Sequence, residues 1–172
     1  MLSLLLVLTV PVSVIALLYA RWEYSTRGKL SLVGLLLLCT MLFVPNLVLH
    51  YAFDYRMPTT PLDYVGAAVA GAGLLLCVAA MVCFWSIPKV LCVRTGKLTL
   101  TGPYRWSRNP QYVGWILFVL GFALNDWSPW CFGALLVVAI SLDFLVLIEE
   151  DHLLRTFGEP YAELLRTVPR YL

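Results

Sequence analysis

Gly102-Pro103-Tyr104-Arg105-Trp106-Ser107-Arg108-Asn109-Pro110-Gln111-Tyr112-Val113-Gly114 is a polar, basic, turn-forming island in an otherwise oily chain. An apolar run over about residues 62–87 precedes it, and another begins at Tyr112. Two more runs, over about residues 2–20 and 30–53, lie upstream, and one over about residues 130–148 lies downstream. A helix crosses a bilayer with roughly 20 apolar residues rising about 1.5 Å each, and the runs over 2–20, 30–53 and 62–87 reach that length. The stretch over 112–124 makes only about 20 Å of helix, short of a hydrocarbon core about 30 Å thick. It is followed by the turn-forming residues Asn125-Asp126-Trp127-Ser128-Pro129. The expected architecture is therefore all-α, with five transmembrane helices over about 2–20, 30–53, 62–87, 112–124 and 130–148. The last two are read as a helical hairpin whose turn lies near the far interface, anchored by Trp127 and Trp130. Ser128 or Asp126 suits the cap of the last helix, and Pro129 its first turn.

Composition agrees with that reading. The 172 residues are 61% hydrophobic and only 13% charged, against about half and a quarter in soluble domains. One domain over 1–172 is expected. Eleven of the twelve lysines and arginines fall in three segments. These are the first loop (Arg21, Arg27, Lys29), the third loop (Lys89, Arg94, Lys97, Arg105, Arg108) and the tail (Arg155, Arg166, Arg170), with Arg56 alone in the second loop. Five spans put all three basic segments on one side, which the positive-inside rule makes cytoplasmic, leaving the N-terminus outside. Four or six spans would destroy this separation. No positive charge precedes the first apolar run, so it reads as a retained span rather than a cleaved signal. A net charge of +2 with dispersed bases gives no argument for nucleic acid.

Cys39, Cys77, Cys83, Cys92 and Cys131 form no Cys-x-x-Cys pair and read as small packing residues. With only His50 and His152 besides, no metal site is expected. Gly66, Gly71 and Gly73 suit close helix packing or the approach of a ligand to the backbone. Trp85, Trp106 and Trp115 flank the third loop, as interfacial anchors or as the lining of a lipid-facing groove.

The chemistry-bearing residues gather at the basic end. Pro110 suits a helix first turn, with Asn109 or Ser107 as cap. The free N–H groups there, with Arg105 and Arg108, can hold an anion, or the bases can serve topology and lipid headgroups alone. Glu149, Glu150 and Asp151 come at the end of the last apolar run. Asp143 lies inside that run, where an acid is costly and marks either function or a hydrogen bond to a tyrosine or tryptophan. Asp143 and Glu150, seven residues apart, share a helix face, while Glu149 points elsewhere. In the tail, Leu153, Leu154, Phe157, Tyr161, Leu164 and Leu165 recur at helical spacing, broken at Gly158 and Pro160. This amphipathic segment lies on the membrane or folds back over the third loop.

Taken together, Gly-Pro-Tyr-Arg-x-x-Arg-x-Pro-x-Tyr-x-Gly, a hydrophobic hairpin, Glu149-Glu150, Phe157-Gly158-Glu159-x-Tyr161 and Val168-Pro169-Arg170 resemble the isoprenylcysteine carboxyl methyltransferase and phospholipid methyltransferase group of membrane enzymes. The resemblance covers about 89–170. It implies S-adenosylmethionine as methyl donor, bound at the cytoplasmic face. It places Gly96, Lys97, Leu98 and Thr99 at the cofactor's border, with Tyr104 packing on it. Asn109, Pro110, Gln111 and Tyr112, beside Arg108, form the turn that wraps it, and Glu149 binds its polar end. Catalytic candidates are Glu150 and Asp143, as proton acceptors or orienters of an amine, and Arg105. The acceptor is expected to be a small lipophilic molecule or lipid: a phospholipid amine, an isoprenylcysteine or another lipid thiol. Two positions depart from the pattern. Asn109 stands where the group usually has histidine, so this position binds rather than titrates. Leu145 stands where the prenylcysteine enzymes carry an arginine facing the substrate carboxylate, which favours amine, thiol or hydroxyl acceptors. The competing expectations are an NADPH-dependent membrane reductase of the sterol-reductase type and a non-enzymatic membrane scaffold.

Overall fold

The computed structural model describes residues 2–52, 58–84, 101–125 and 128–172. Gly96, Lys97, Leu98 and Thr99 lie outside the described residues, as do Trp85, Lys89, Arg94, Asp126 and Trp127. The described chain is helical, with α1 (Leu2–Arg27), α2 (Leu32–Ala52), α3 (Pro61–Phe84), a 3-10 turn (Gly102–Arg105), α4 (Pro110–Asn125), α5 (Pro129–Phe157) and α6 (Glu159–Thr167).

Four of these helices, α1, α2, α3 and α5, are long and apolar enough to cross a membrane. Their outward faces are apolar as well. Leu18, Leu36, Phe43, Leu75 and Phe144 are all exposed on the bundle surface. A water-soluble bundle places polar side chains there, whereas helices apolar on every side belong in lipid. α4 has 16 residues, about 24 Å of helix at 1.5 Å per residue. It is a short apolar helix rather than a fifth one of full spanning length.

The helix starts follow from local chemistry. Pro129 opens α5, and Ser128 caps it by accepting from the Trp130 N–H at 3.3 Å. At α3, Asp63 Oδ2 accepts from the N–H groups of Thr59 and Thr60 at 2.9 and 2.8 Å, while Thr60 Oγ1 accepts from the Asp63 N–H at 3.2 Å. This reciprocal capping box satisfies donors that would otherwise be orphaned. At α2, Ser31 Oγ accepts from the Gly34 N–H at 3.2 Å. The Ser31 N–H in turn donates to the buried Glu23 carboxylate of α1 at 2.8 Å.

α5 continues to Phe157, so Glu149, Glu150 and Asp151 lie within the helix rather than at its end. Hydrogen-bonded backbone needs no apolar side chains, so the helix outlasts the hydrophobic run by more than two turns. Gly158, at φ 61°, ends it, in the left-handed region that favours glycine. Pro160 does not break the tail helix but opens it, at the start of α6, where its missing N–H costs nothing.

Two packing arrangements build the bundle. α4 has α3 as its closest partner and lies antiparallel along it. A Cβ on Gly73 would meet Gly114 O and Phe118 N at 2.5 Å, and one on Gly121 would meet Ala70 N and Gly66 O at 2.5 Å. Near the start of α4, Cys77 Sγ donates to the Gln111 carbonyl at 3.1 Å. Small residues here let two backbones touch, as expected for Gly66 and Gly73. Gly71 faces open space. Separately, α5 packs on α1 and α2. Ala16, Ala20, Met41, Val48, Ala134, Val138 and Leu142 are buried in that core, and Val119 and Ala123 join it from α4. Cys77 and Cys131 are buried, in keeping with a packing role.

α1 and α5 run in parallel register. Leu6 meets Gly133 near their starts, and Tyr24 stacks on His152, ring centroids 4.5 Å apart, near their ends. One end of the bundle therefore gathers the end of α1, the start of α2, the end of α3, the start of α4 and the last part of α5. Arg27, Arg108, Arg155 and Arg170 all fall at this end.

Candidate functional site

The polar end is built around the start of α4. Gly102, at φ 60°, opens the 3-10 turn, and a Cβ there would also meet Cys83 Sγ at 2.6 Å. The turn buries Tyr104, whose hydroxyl donates to Gln111 Oε1 at 3.0 Å. Asn109 holds the capping position, its carbonyl accepting from the N–H groups of Tyr112 and Val113 at 3.1 Å. Its side chain does not cap the helix. The Asn109 Nδ2 donates instead to the Arg170 carbonyl at 3.1 Å. Ser107, almost fully buried, accepts from the Asn109 N–H at 3.1 Å and donates to the same Arg170 carbonyl at 3.3 Å.

The two adjacent glutamates of α5 have different partners, as their angular separation on a helix requires. Glu149 accepts from the Tyr112 hydroxyl at 2.9 and 3.0 Å, tying the first turn of α4 to α5. Glu150 pairs with two guanidinium groups. Arg108 Nη2 approaches Oε1 at 3.0 Å. Arg170 donates from Nε to Oε1 at 3.2 Å and from Nη2 to Oε2 at 2.8 Å, a two-pronged contact. Only 9% of the Arg108 side chain and 12% of the Glu150 side chain are exposed, so this pair is far less screened than a surface ion pair. Arg108 Nη1 also donates to the Leu165 carbonyl at 3.1 Å. The hydrogen bond that Arg170 donates to Glu150 holds its guanidinium pKa above the ordinary value.

The tail folds back over this loop. Of the two placements open to an amphipathic tail, the described contacts are those of the second. The Arg108 N–H donates to the Pro169 carbonyl at 3.0 Å. Tyr161 of α6 is buried, and burial, then the Glu150 carboxylate, pushes its phenol up to about 12. Asp143 has a tyrosine partner, the Tyr171 hydroxyl, which donates to Oδ1 at 2.6 Å. Burial and that hydrogen bond push the Tyr171 phenol well above its ordinary range.

Sequence spacing brings together most of the expected set. Tyr104, Arg108, Asn109, Pro110, Gln111, Tyr112, Glu149 and Glu150 form one connected network. Arg105 is apart from it. It is exposed and forms no hydrogen bond or ion pair among the described residues. Trp106 is 70% exposed and Trp115 is half-buried. Leu145 is buried in the core, so no cation occupies its place. The network also contains Arg170 and Tyr171, to which spacing assigned no role, together with Ser107, read as a candidate cap, and Tyr161, read as part of the amphipathic tail. Tyr161 and Arg170 stand inside quoted motifs, but Arg170 finds Glu150 20 positions away and Asn109 and Ser107 61 and 63 positions away. No local periodicity reveals such contacts.

The buried polar atoms without a hydrogen-bond partner among the described residues include two N–H donors of α4 and the loop before it, Arg108 Nε and Trp115 Nε1. The same end of the bundle holds a carboxylate, Glu149, bonded to Tyr112, and a buried aromatic ring, Tyr104. This donor set suits a ligand that carries a cation, several acceptor atoms and a flat ring.

The described residues thus form a helical protein built on helices of membrane-spanning length, with one polar, basic end. Residues 63–160 match the phospholipid methyltransferase family, and the chain belongs to that family. It is 34% identical over 77 residues to the protein-S-isoprenylcysteine O-methyltransferase of Homo sapiens, covering 44% of this chain and 27% of that protein. The corresponding Mus musculus protein is 32% identical over the same extent. It is also 35% identical over 68 residues to a phosphatidylethanolamine N-methyltransferase of Pyrenophora tritici-repentis, covering 39% of this chain and 8% of that protein. The chain thus spans about a quarter of the length of the isoprenylcysteine relatives, 27% in the human case. No solved structure matches it.

Proposed function

We propose that the protein is an integral membrane methyltransferase that uses S-adenosylmethionine and methylates a small lipophilic acceptor at the cytoplasmic interface. The observation that carries this reading is the Tyr112–Glu149 bond. It ties the family motif at the start of α4 to the α5 carboxylate. Five passes of the chain, with α4 as the short fourth, put the basic end on the cytoplasmic side.

Glu149 would hold the cofactor's cationic end, and Tyr112 would orient that carboxylate. Tyr104 would pack on the flat ring, and Arg108 Nε and Trp115 Nε1 would donate to its acceptor atoms. Gly96, Lys97, Leu98 and Thr99 remain as its border. Bound there, S-adenosylmethionine supplies a methyl group already activated on a sulfonium. The protein's task is then alignment of the acceptor and exclusion of water. Exposed Arg105 and Trp106 suit the headgroup region, where Arg105 meets an anionic acceptor or lipid. Glu150, held by two guanidinium groups, orients the loop, and Asp143 is the acid with one oxygen uncommitted to Tyr171. Buried Leu145 supports an amine, thiol or hydroxyl acceptor over a carboxylate.

The test is calorimetric titration of detergent-purified, lipid-supplemented protein with S-adenosylhomocysteine, with NADPH in parallel. The expected result is micromolar affinity, weakened at least tenfold in Glu149→Ala. Binding of NADPH alone would replace the methyltransferase with a reductase. Silence from both would leave a scaffold.

A further inference from the structure

Residues 169–171 bond both to the 107–109 loop and to α5. Toward the loop, the Pro169 carbonyl accepts from the Arg108 N–H at 3.0 Å, and the Arg170 carbonyl accepts from Asn109 Nδ2 at 3.1 Å and Ser107 Oγ at 3.3 Å. Toward α5, the Arg170 guanidinium holds Glu150 through both carboxylate oxygens, and Tyr171 holds Asp143. Asp143 and Glu150 are two turns apart on one face of α5, so the strap runs along that face. Within the strap, Arg170 contacts both sides, its carbonyl on the loop and its guanidinium on the helix.

We propose that Arg170 is a positioning residue for the site, acting through Glu150 and the 107–109 loop rather than through contact with either substrate. This rests on the methyltransferase reading. Glu150 Oε1 is shared between Arg108 and Arg170. Arg108 lies four residues before Tyr112, and Glu150 directly follows Glu149. The angle at which α5 presents Glu149 to Tyr112 is therefore set by the Arg108–Glu150–Arg170 cluster. A planar fork fixes both carboxylate oxygens at once, whereas an ammonium fixes one point. Arg170→Lys should consequently keep the charge but lose part of the alignment. Tyr171→Phe frees Asp143 and leaves the Arg170 bridge intact.

The experiment measures S-adenosylhomocysteine affinity and the ligand-free thermal midpoint for the unaltered protein, Arg170→Ala, Arg170→Lys and Tyr171→Phe in detergent with added phospholipid. A positioning role predicts affinity weakened at least tenfold in Arg170→Ala and about threefold in Arg170→Lys, at temperatures where each is folded, with little change in Tyr171→Phe. Were Arg170→Ala not to fold, Arg170→Lys would carry the test. Unchanged affinity in the folded Arg170 variants, with only a lower midpoint, would reduce Arg170 to a structural strut and overturn the proposal. Equal weakening in Tyr171→Phe would also overturn it, by assigning the effect to the strap as a whole. If the unaltered protein itself binds no S-adenosylhomocysteine, the methyltransferase reading falls and takes the proposal with it.

Discussion

α4 is held in two different ways along its length. Against α3 it is held by shape. Gly66, Gly73, Gly114 and Gly121 bring the two backbones together, and a single added carbon at Gly73 or Gly121 would collide with backbone atoms. At its start it is held by polar bonds, from Tyr112 to Glu149 and from Arg108 to Glu150 and the tail. The contrast follows from the solvent. In hydrocarbon, apolar side chains gain nothing by leaving lipid for one another, so close packing has to supply the attraction. At the polar end, water competes for every charge, and only a shielded, multiply bonded cluster keeps its geometry.

The comparison can be broken most severely at Glu150. Glu150→Ala leaves Arg108 and Arg170 facing each other without a carboxylate, and Arg108 is largely shielded from water. Removing one partner of a shielded ion pair costs about 3–5 kcal/mol. A fall in thermal midpoint in detergent should register it, and an unchanged midpoint would show that the cluster contributes no stability. Tyr112→Phe is milder. It deletes one hydroxyl that donates to a carboxylate, a bond contributing about 1.5–3 kcal/mol, and it should loosen α4 from α5 without disturbing the α3 contact. Chemical unfolding monitored by circular dichroism checks the size. The shape-held seam gives the third test. Gly121→Ala forces backbones apart and should destabilise by about 1–3 kcal/mol. Gly71→Ala, in open space on the same helix pair, should change stability by less than about 1 kcal/mol. Equal effects at Gly121 and Gly71 would mean that composition, not close approach, matters along this seam.

Much of the fold was legible because the signals were local. Apolar length gave the four long helices, Ser128-Pro129 gave the start of α5, and Gly158 was legible as a break in the tail. Gly66 and Gly73 were legible as packing residues, though not which helix they meet. The run of apolar residues misplaced the end of α5, because the helix continues on hydrogen bonds after the oily face stops. The candidate site was legible as a set. Tyr104, Asn109, Tyr112 and Glu149 stand in motifs, and the acid at Asp143 pointed to a tyrosine or tryptophan without naming Tyr171. Asn109 shows the limit. Its type and place before Pro110 suit a helix cap, yet its amide reaches a carbonyl 61 positions away.

By itself the sequence determined the class of molecule, since apolar length and charge segregation depend on transfer free energies that each segment carries alone. It also determined that the motif residues gather at the basic end. Only the tertiary structure decided the partners: α4 against α3, Glu149 with Tyr112, Glu150 with two arginines, and the tail over the loop. Those choices depend on which surfaces fit and which charges are shielded together, and such properties belong to pairs of segments rather than to either one.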